Sequence, residues 1–293
     1  MDPLAIAVRF GSYAILSLIA GVPLFLHLSL GGRRARMAFA TWQGIFAFLL
    51  LAGAALALIG LLVATAAMAG TPLFPVDWDM VGIVLSATSS AKAMLARAMI
   101  LFVLLLLLLL RHTPGLRSSI LLGSIAAATL AWSGHAAAGD GALGWLHLCG
   151  DMLHILAAAL WIGGMACLLA SLRGPDAQQT APMLSAFAWI GGLIVVLLVV
   201  TGLFNTAMTV GIANLAASLA GPYGKLLALK LFLFLLMLGL AANNRFRLTP
   251  RFERSPHTAR PALRRAIAIE LTLALVILAL VGWLGMIDPL GKG

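Results

Sequence analysis

Apolar residues come in long blocks separated by short polar breaks. A helix rises 1.5 Å per residue and needs roughly 20 apolar residues to cross the hydrocarbon layer of a membrane. Eight blocks meet that length: about 4–30, 38–69, 92–110, 117–132, 145–172, 187–208, 225–243 and 266–286. The second is long enough to tilt or protrude. Met80–Ser90, between the second and third blocks, is too short and too polar to span and is expected to lie at the interface. The period-two alternation of a barrel strand is absent, so the pattern predicts an all-α, polytopic membrane helical bundle of about eight transmembrane helices. Residues 1–293 read as a single transmembrane domain. The first block has no small-residue cleavage site and continues as a span, so no cleavable leader is expected.

Composition agrees. The chain is 62% hydrophobic and 10% charged, with mean hydropathy +1.09, which excludes an ordinary soluble domain. A net charge of +10 would point to nucleic acid if it formed one patch. Instead, 13 of the 19 lysines and arginines lie in the breaks after the first, third, fifth and seventh blocks. The alternate breaks carry Asp77, Asp79 and Asp140 and almost no arginine. By the positive-inside rule both termini face the periplasm, and the charge implies membrane lipids rather than nucleic acid as surroundings. Arg245–Arg265 reads as a strongly basic cytoplasmic loop.

The chemistry concentrates in Trp132–Ser171, which holds three of the six histidines and both cysteines. His147, Asp151 and His154 fall at i, i+4 and i+7, one stripe of a helix. Trp161 and Met165 continue the stripe inward, and His135 precedes it in a Gly- and Ala-rich segment. Imidazole, carboxylate and thioether on one face suit a transition metal, and ionisable groups inside a membrane point to function. With the fifth span entering at Trp145, His154 lies roughly 13 Å below the outer entrance. Met165 and Glu270 are candidates for a continuing inward path, and Met208 and Met286, near outer helix ends, for an entry path. Glu270 is otherwise expected to pair with an arginine of the basic loop. Arg9, Arg97 and Lys230 either snorkel to headgroups or supply a partner for Asp151. Thr201, Asn205 and Asn244 read as polar contacts between helices. Cys149 and Cys167 are 18 positions apart on one helix, roughly 27 Å, and cannot pair with each other. No nucleophile–base pair, zinc-protease motif or phosphate-binding glycine loop is present, so no enzyme is expected.

The run GHAAAGDG, then H-x-x-x-D-x-x-H, then AAALWIGG, resembles the CopD family of bacterial copper-resistance membrane proteins. VVTGLFNTAM, YGKLLALKLFLFLLMLGLAANNRF and LRRAIAIELTLALV are similar to that family's later helices. The resemblance is clear from about Trp132 to the C-terminus and vague before it. It implies a multi-pass protein of the bacterial inner membrane that handles copper, with His135, His147, Asp151 and His154 as ligands. It also implies a separate periplasmic copper-binding partner of the CopC type. Some relatives carry His where this chain has Asp151; a carboxylate is harder and better suited to Cu(II) or a proton-coupled role than to Cu(I).

The expected function is that of a copper permease, importing copper ions from the periplasmic side through the His/Asp site. Two alternatives stay open: a haem b membrane electron-transfer protein, and a copper sensor or assembly factor without transport.

Overall fold

A computed structural model describes residues 2–111, 115–134, 139, 141–173, 177–211, 214, 218 and 221–289. Those residues form helices and connections, with no strand among them. Helix α1 (Pro3–Leu30) starts where the Asp2 carboxylate accepts a hydrogen bond from the Leu4 amide at 2.8 Å, with Pro3 in the first turn. There follow α2 (Gly32–Ala40), α3 (Gln43–Ala69), α4 (Trp78–Ala87), α5 (Ser89–Arg111) and α6 (Leu116–Ala128), which ends in a 3-10 turn, Thr129–Ser133. The second half comprises α7 (Gly141–Ser171), α8 (Ala177–Val210), α9 (Pro222–Asn243), α10 (Thr249–Arg254) and α11 (Pro256–Leu284). Among the described residues, eight helical spans are long and apolar enough to cross a membrane.

Three boundaries differ from expectation. The second block divides, because a turn at Thr41–Trp42 separates α3 from α2, which Gly31 and Gly32 with positive φ (62° and 41°) set off from α1. Met80–Ser90 holds most of a short helix, α4, whose N-terminus is capped by Asp77 at 2.9 Å from the Met80 amide. The basic stretch Arg245–Arg265 is not a loop. From α9 the chain passes through a π-helical turn, Asn244–Leu248, into α10, and α11 begins at Pro256. Pro250 and Pro256 sit in the first turns of α10 and α11, where a missing amide hydrogen costs nothing.

Helix α7 occupies the middle, packed on α1, α6, α8 and α11. Its closest neighbour is α1. A Cβ at Gly21 would strike the Ala159 carbonyl, and one at Gly163 would strike the backbone of Gly21 and Val22. Only glycine permits that approach, and in a lipid environment such small-residue contacts are a main source of helix–helix attraction. The two helices run in the same direction, since Gly21 meets Ala159–Gly163 and the Val22 carbonyl lies 3.9 Å from Cys167 Sγ further on. Helix α8 returns antiparallel, with Phe204 against Gly150 and Phe187 against Gly164. Helix α11 also returns, so Gly282 lies against Ile6 and Phe10. Both chain ends and the start of α7 therefore share one end of the bundle, here the terminal end. The arginine-rich connections lie at the other, the basic end. Large apolar residues such as Phe48, Phe102, Trp189, Leu203 and Leu235 face outward, as a lipid-facing surface requires.

Gly163→Leu should lower the unfolding midpoint of the purified protein by the equivalent of about 1–3 kcal/mol or more, the usual cost of overpacking a tight contact. Gly191→Leu, at a glycine whose Cβ would meet open space, should leave the midpoint unchanged. Equal midpoints for the two variants would contradict the α1–α7 packing.

Candidate metal centre

His147, Asp151 and His154 lie on α7 in its first half, near the terminal end. His147 is buried, and Asp151 and His154 are half-buried. All three face α8. The His147 ring stands edge-on to Phe204, centroids 6.2 Å apart. Asp151 Oδ1 accepts a hydrogen bond from Asn205 Nδ2 at 2.9 Å. His154 Nδ1 lies 2.8 Å from Thr201 Oγ1. The absence of side chains at Gly150 and Gly202 makes room: a Cβ on Gly150 would crowd Phe204, and one on Gly202 would sit 3.4 Å from His154 Cε1.

The Thr201 contact sets the histidine's tautomer. Thr201 has one hydroxyl hydrogen, and it goes to the Leu197 carbonyl at 2.5 Å. Its oxygen is then an acceptor for Nδ1–H of His154, which leaves the Nε2 lone pair as the ring's free coordinating position. Orienting a ligating imidazole through its other nitrogen is the usual role of a supporting hydrogen bond in metal sites. Asn205 is similar in kind: its amide nitrogen holds Asp151, while its Oδ1 is buried with no hydrogen-bond partner among the described residues. A buried orphan oxygen beside a carboxylate and an imidazole suits a cation or a protonated group.

The stripe does not close into a ready cage. Among the described residues no group of three or more His, Cys, Asp or Glu is close enough together to hold a metal ion. His135, the fourth expected ligand, lies outside the described residues. The segment leading to it is nevertheless well held. Arg9 Nη1 donates to the Ser133 carbonyl at 2.8 Å, Arg97 Nε to Thr129 Oγ1 at 2.8 Å, and Arg97 Nη2 to Ser133 Oγ at 3.3 Å. A Cβ on the next residue, Gly134, would lie 3.8 Å from Asp151 Oδ2. The chain thus enters the His135 segment beside Asp151.

Of the three intramembrane cations, Lys230 on α9 is the one within electrostatic reach of both Asp151 and His154. Arg9 and Arg97 turn to the 3-10 turn instead. Deeper along α7, Trp161 and Met165 are buried. Among the described residues Glu270 on α11 is not paired with an arginine. Trp161 Nε1 donates to its Oε1 and Asn244 Nδ2 to its Oε2, each at 2.9 Å. Asn244 opens the π-helical turn, a local irregularity that frequently accompanies functional positions. Met208 lies near the end of α8, half-buried, and Met286 lines a separate cavity beside Arg9 and Arg97. Cys149 is exposed and Cys167 buried, and both are free thiols.

Residues 181–284 match the family described as Copper resistance protein D, and residues 1–145 match Copper resistance protein D-like, N-terminal domain. Copper resistance protein D of Pseudomonas syringae pv. tomato is 32% identical over 304 aligned residues, 98% of this chain and 97% of its own length. The chain belongs to the copper resistance protein D family. Inner membrane protein YebZ of Escherichia coli (strain K12) is 28% identical over 163 residues, 55% of each chain. No solved structure matches. This member of the family is thus a copper-related, multi-pass membrane protein. The similarity that the sequence shows most clearly after Trp132 extends to the N-terminus. The candidate ligands of α7 fall between the two family matches, in a stretch that the Pseudomonas alignment runs through.

Thr201→Val removes the acceptor for His154 Nδ1–H while keeping the shape. Copper affinity, measured by competition with a chelator, should fall about 10–100-fold, the usual effect of losing a ligand-orienting partner. Thr201→Ser should retain it. An unchanged affinity in Thr201→Val would show that His154 is not a ligand held in this way.

Proposed function

We propose that the protein imports copper ions across the inner membrane, taking them at the terminal end of the bundle and releasing them at the basic end. The carrying observation is the Thr201–His154 hydrogen bond, which supports an imidazole poised with Nε2 open beside Asp151. The arginine distribution supports a periplasmic terminal end, and hence capture from the periplasm. In this reading His135, His147, Asp151 and His154 capture the ion. A separate periplasmic copper-binding protein of the CopC type delivers it.

Copper then moves down α7. Trp161 and Met165 lie roughly 10 Å and 16 Å below His154 along the helix axis. Glu270 faces that level. Its two hydrogen bonds come from neutral donors, and no cation pairs with it among the described residues. A carboxyl in that setting can be held as an anion by Trp161 and Asn244. It can also be held as an acid if the Asn244 amide turns its oxygen toward it. Glu270 therefore serves as the inner station, exchanging a proton as the cation passes. Lys230, beside Asp151 and His154, keeps the outer site from trapping the ion by adding a like charge.

Cells expressing the protein should accumulate more copper than cells expressing the His147→Ala/His154→Ala variant, read by elemental mass spectrometry of washed cells. Glu270→Gln should keep copper bound to the purified protein but lose the extra accumulation. Equal accumulation in wild type and the double variant would overturn import through this site. Neutral imidazole is the coordinating form. Copper retention should therefore fall on acidification.

A further inference from the structure

The two arginines that anchor the His135 segment also form a cavity wall that the copper route does not use. A cavity of about 140 Å³ lies between α1, α3, α5 and the 3-10 turn, bordered by Arg9, Ser12, Tyr13, Arg97, Ser133 and an otherwise mainly apolar lining. Arg97 is only 2% exposed, so it does not snorkel to the membrane surface but turns inward. The guanidinium of Arg9 is close enough for the two cations to repel each other. Neither forms a salt bridge with a carboxylate among the described residues. Arg9 Nε is buried with no hydrogen-bond partner among the described residues. Gly285 lies directly against the Arg9 guanidinium, where any side chain would displace it.

A buried and a half-buried cation side by side are costly unless an anion joins them. The space is that of roughly four to five waters at about 30 Å³ each, enough for a tetrahedral oxyanion. Planar guanidiniums present paired donors that match phosphate oxygens. Met94 and Met286 also border the cavity and could suggest a second copper site. The arginine charges oppose that, since a copper cation would meet like charge in a poorly screened setting.

We infer that this cavity is an anion site that binds a phosphate group, either the headgroup phosphate of a membrane phospholipid or free inorganic phosphate. Because Arg9 and Arg97 also hold Ser133, an occupied site would steady the segment leading to His135.

The test uses the full chain purified in detergent, with native mass spectrometry for lipid retention and thermal unfolding for inorganic phosphate. Two variants carry it. Arg9→Gln removes one guanidinium. Gly60→Leu, at a cavity-lining glycine whose Cβ would have room, fills the space and leaves both arginines. Wild type should retain phosphatidylglycerol but not diacylglycerol, which has the same chains and no phosphate. Alternatively, inorganic phosphate should raise the unfolding midpoint of wild type while no lipid is retained. The first result identifies a lipid headgroup and the second a free oxyanion. In either case Arg9→Gln should weaken binding by about tenfold to a hundredfold, the worth of a hydrogen bond to a charged group, and Gly60→Leu should abolish it. Equal binding by wild type and both variants, equal retention of diacylglycerol, or no binding of either phosphate probe would overturn the inference.

Discussion

The backbone contact between α1 and α7 is the constraint on which the rest of the bundle depends. Gly21 and Gly163 let two spans approach until main chains touch, and α7 is thereby drawn into the interior. A span in that position turns its polar stripe toward neighbouring helices. Every polar group on it must then be met by another helix, because the hydrocarbon layer offers no hydrogen bonds. The pattern of partners follows: Thr201 and Asn205 from α8 for His154 and Asp151, Lys230 from α9 nearby, and Glu270 from α11 for Trp161. Polar residues that would be intolerable on a lipid-facing helix become a continuous track on a central one.

That track has two levels with different chemistry. The upper level, near the chain ends, holds imidazole and carboxylate with a cation close by and an unsatisfied amide oxygen on Asn205. The lower level holds a carboxyl group between two neutral donors, at a π-helical turn. Imidazole and carboxylate above and a single titratable carboxyl below are consistent with an ion taken up at one level and a proton handled at the other. The arginines take no part in either level. They brace the 3-10 turn and line a cavity of their own.

Much of this was legible in the sequence. Block length set the number of spans, and helical spacing placed His147, Asp151 and His154 on one face before any coordinates. What failed is equally physical. Hydropathy cannot see the break at Thr41–Trp42, because the residues on both sides are apolar and only local backbone geometry separates α2 from α3. Basic composition suggested a loop over Arg245–Arg265, yet arginine is a good helix former and two of the three prolines there, Pro250 and Pro256, sit in first turns, where they are tolerated. Thr201 and Asn205 read correctly as cross-helix contacts. Which side chains they would meet depended on the register of α8 against α7, which no single-chain periodicity encodes. The same limit left Lys230, Arg9 and Arg97 as three equal candidates for the neighbourhood of Asp151, and left Glu270 assigned to an arginine it does not meet.

The central claim is that the α7 stripe binds the family's metal. Elemental analysis of the detergent-purified protein after copper loading and removal of excess metal tests it most directly, beside a variant with His135, His147 and His154 all changed to Ala. The account predicts about one copper per chain in wild type and none in the variant, with the unfolding midpoint of the metal-free variant close to that of metal-free wild type. Equal copper in both proteins, or none in either, would contradict it and would leave the stripe as a hydrogen-bonded packing feature of the bundle.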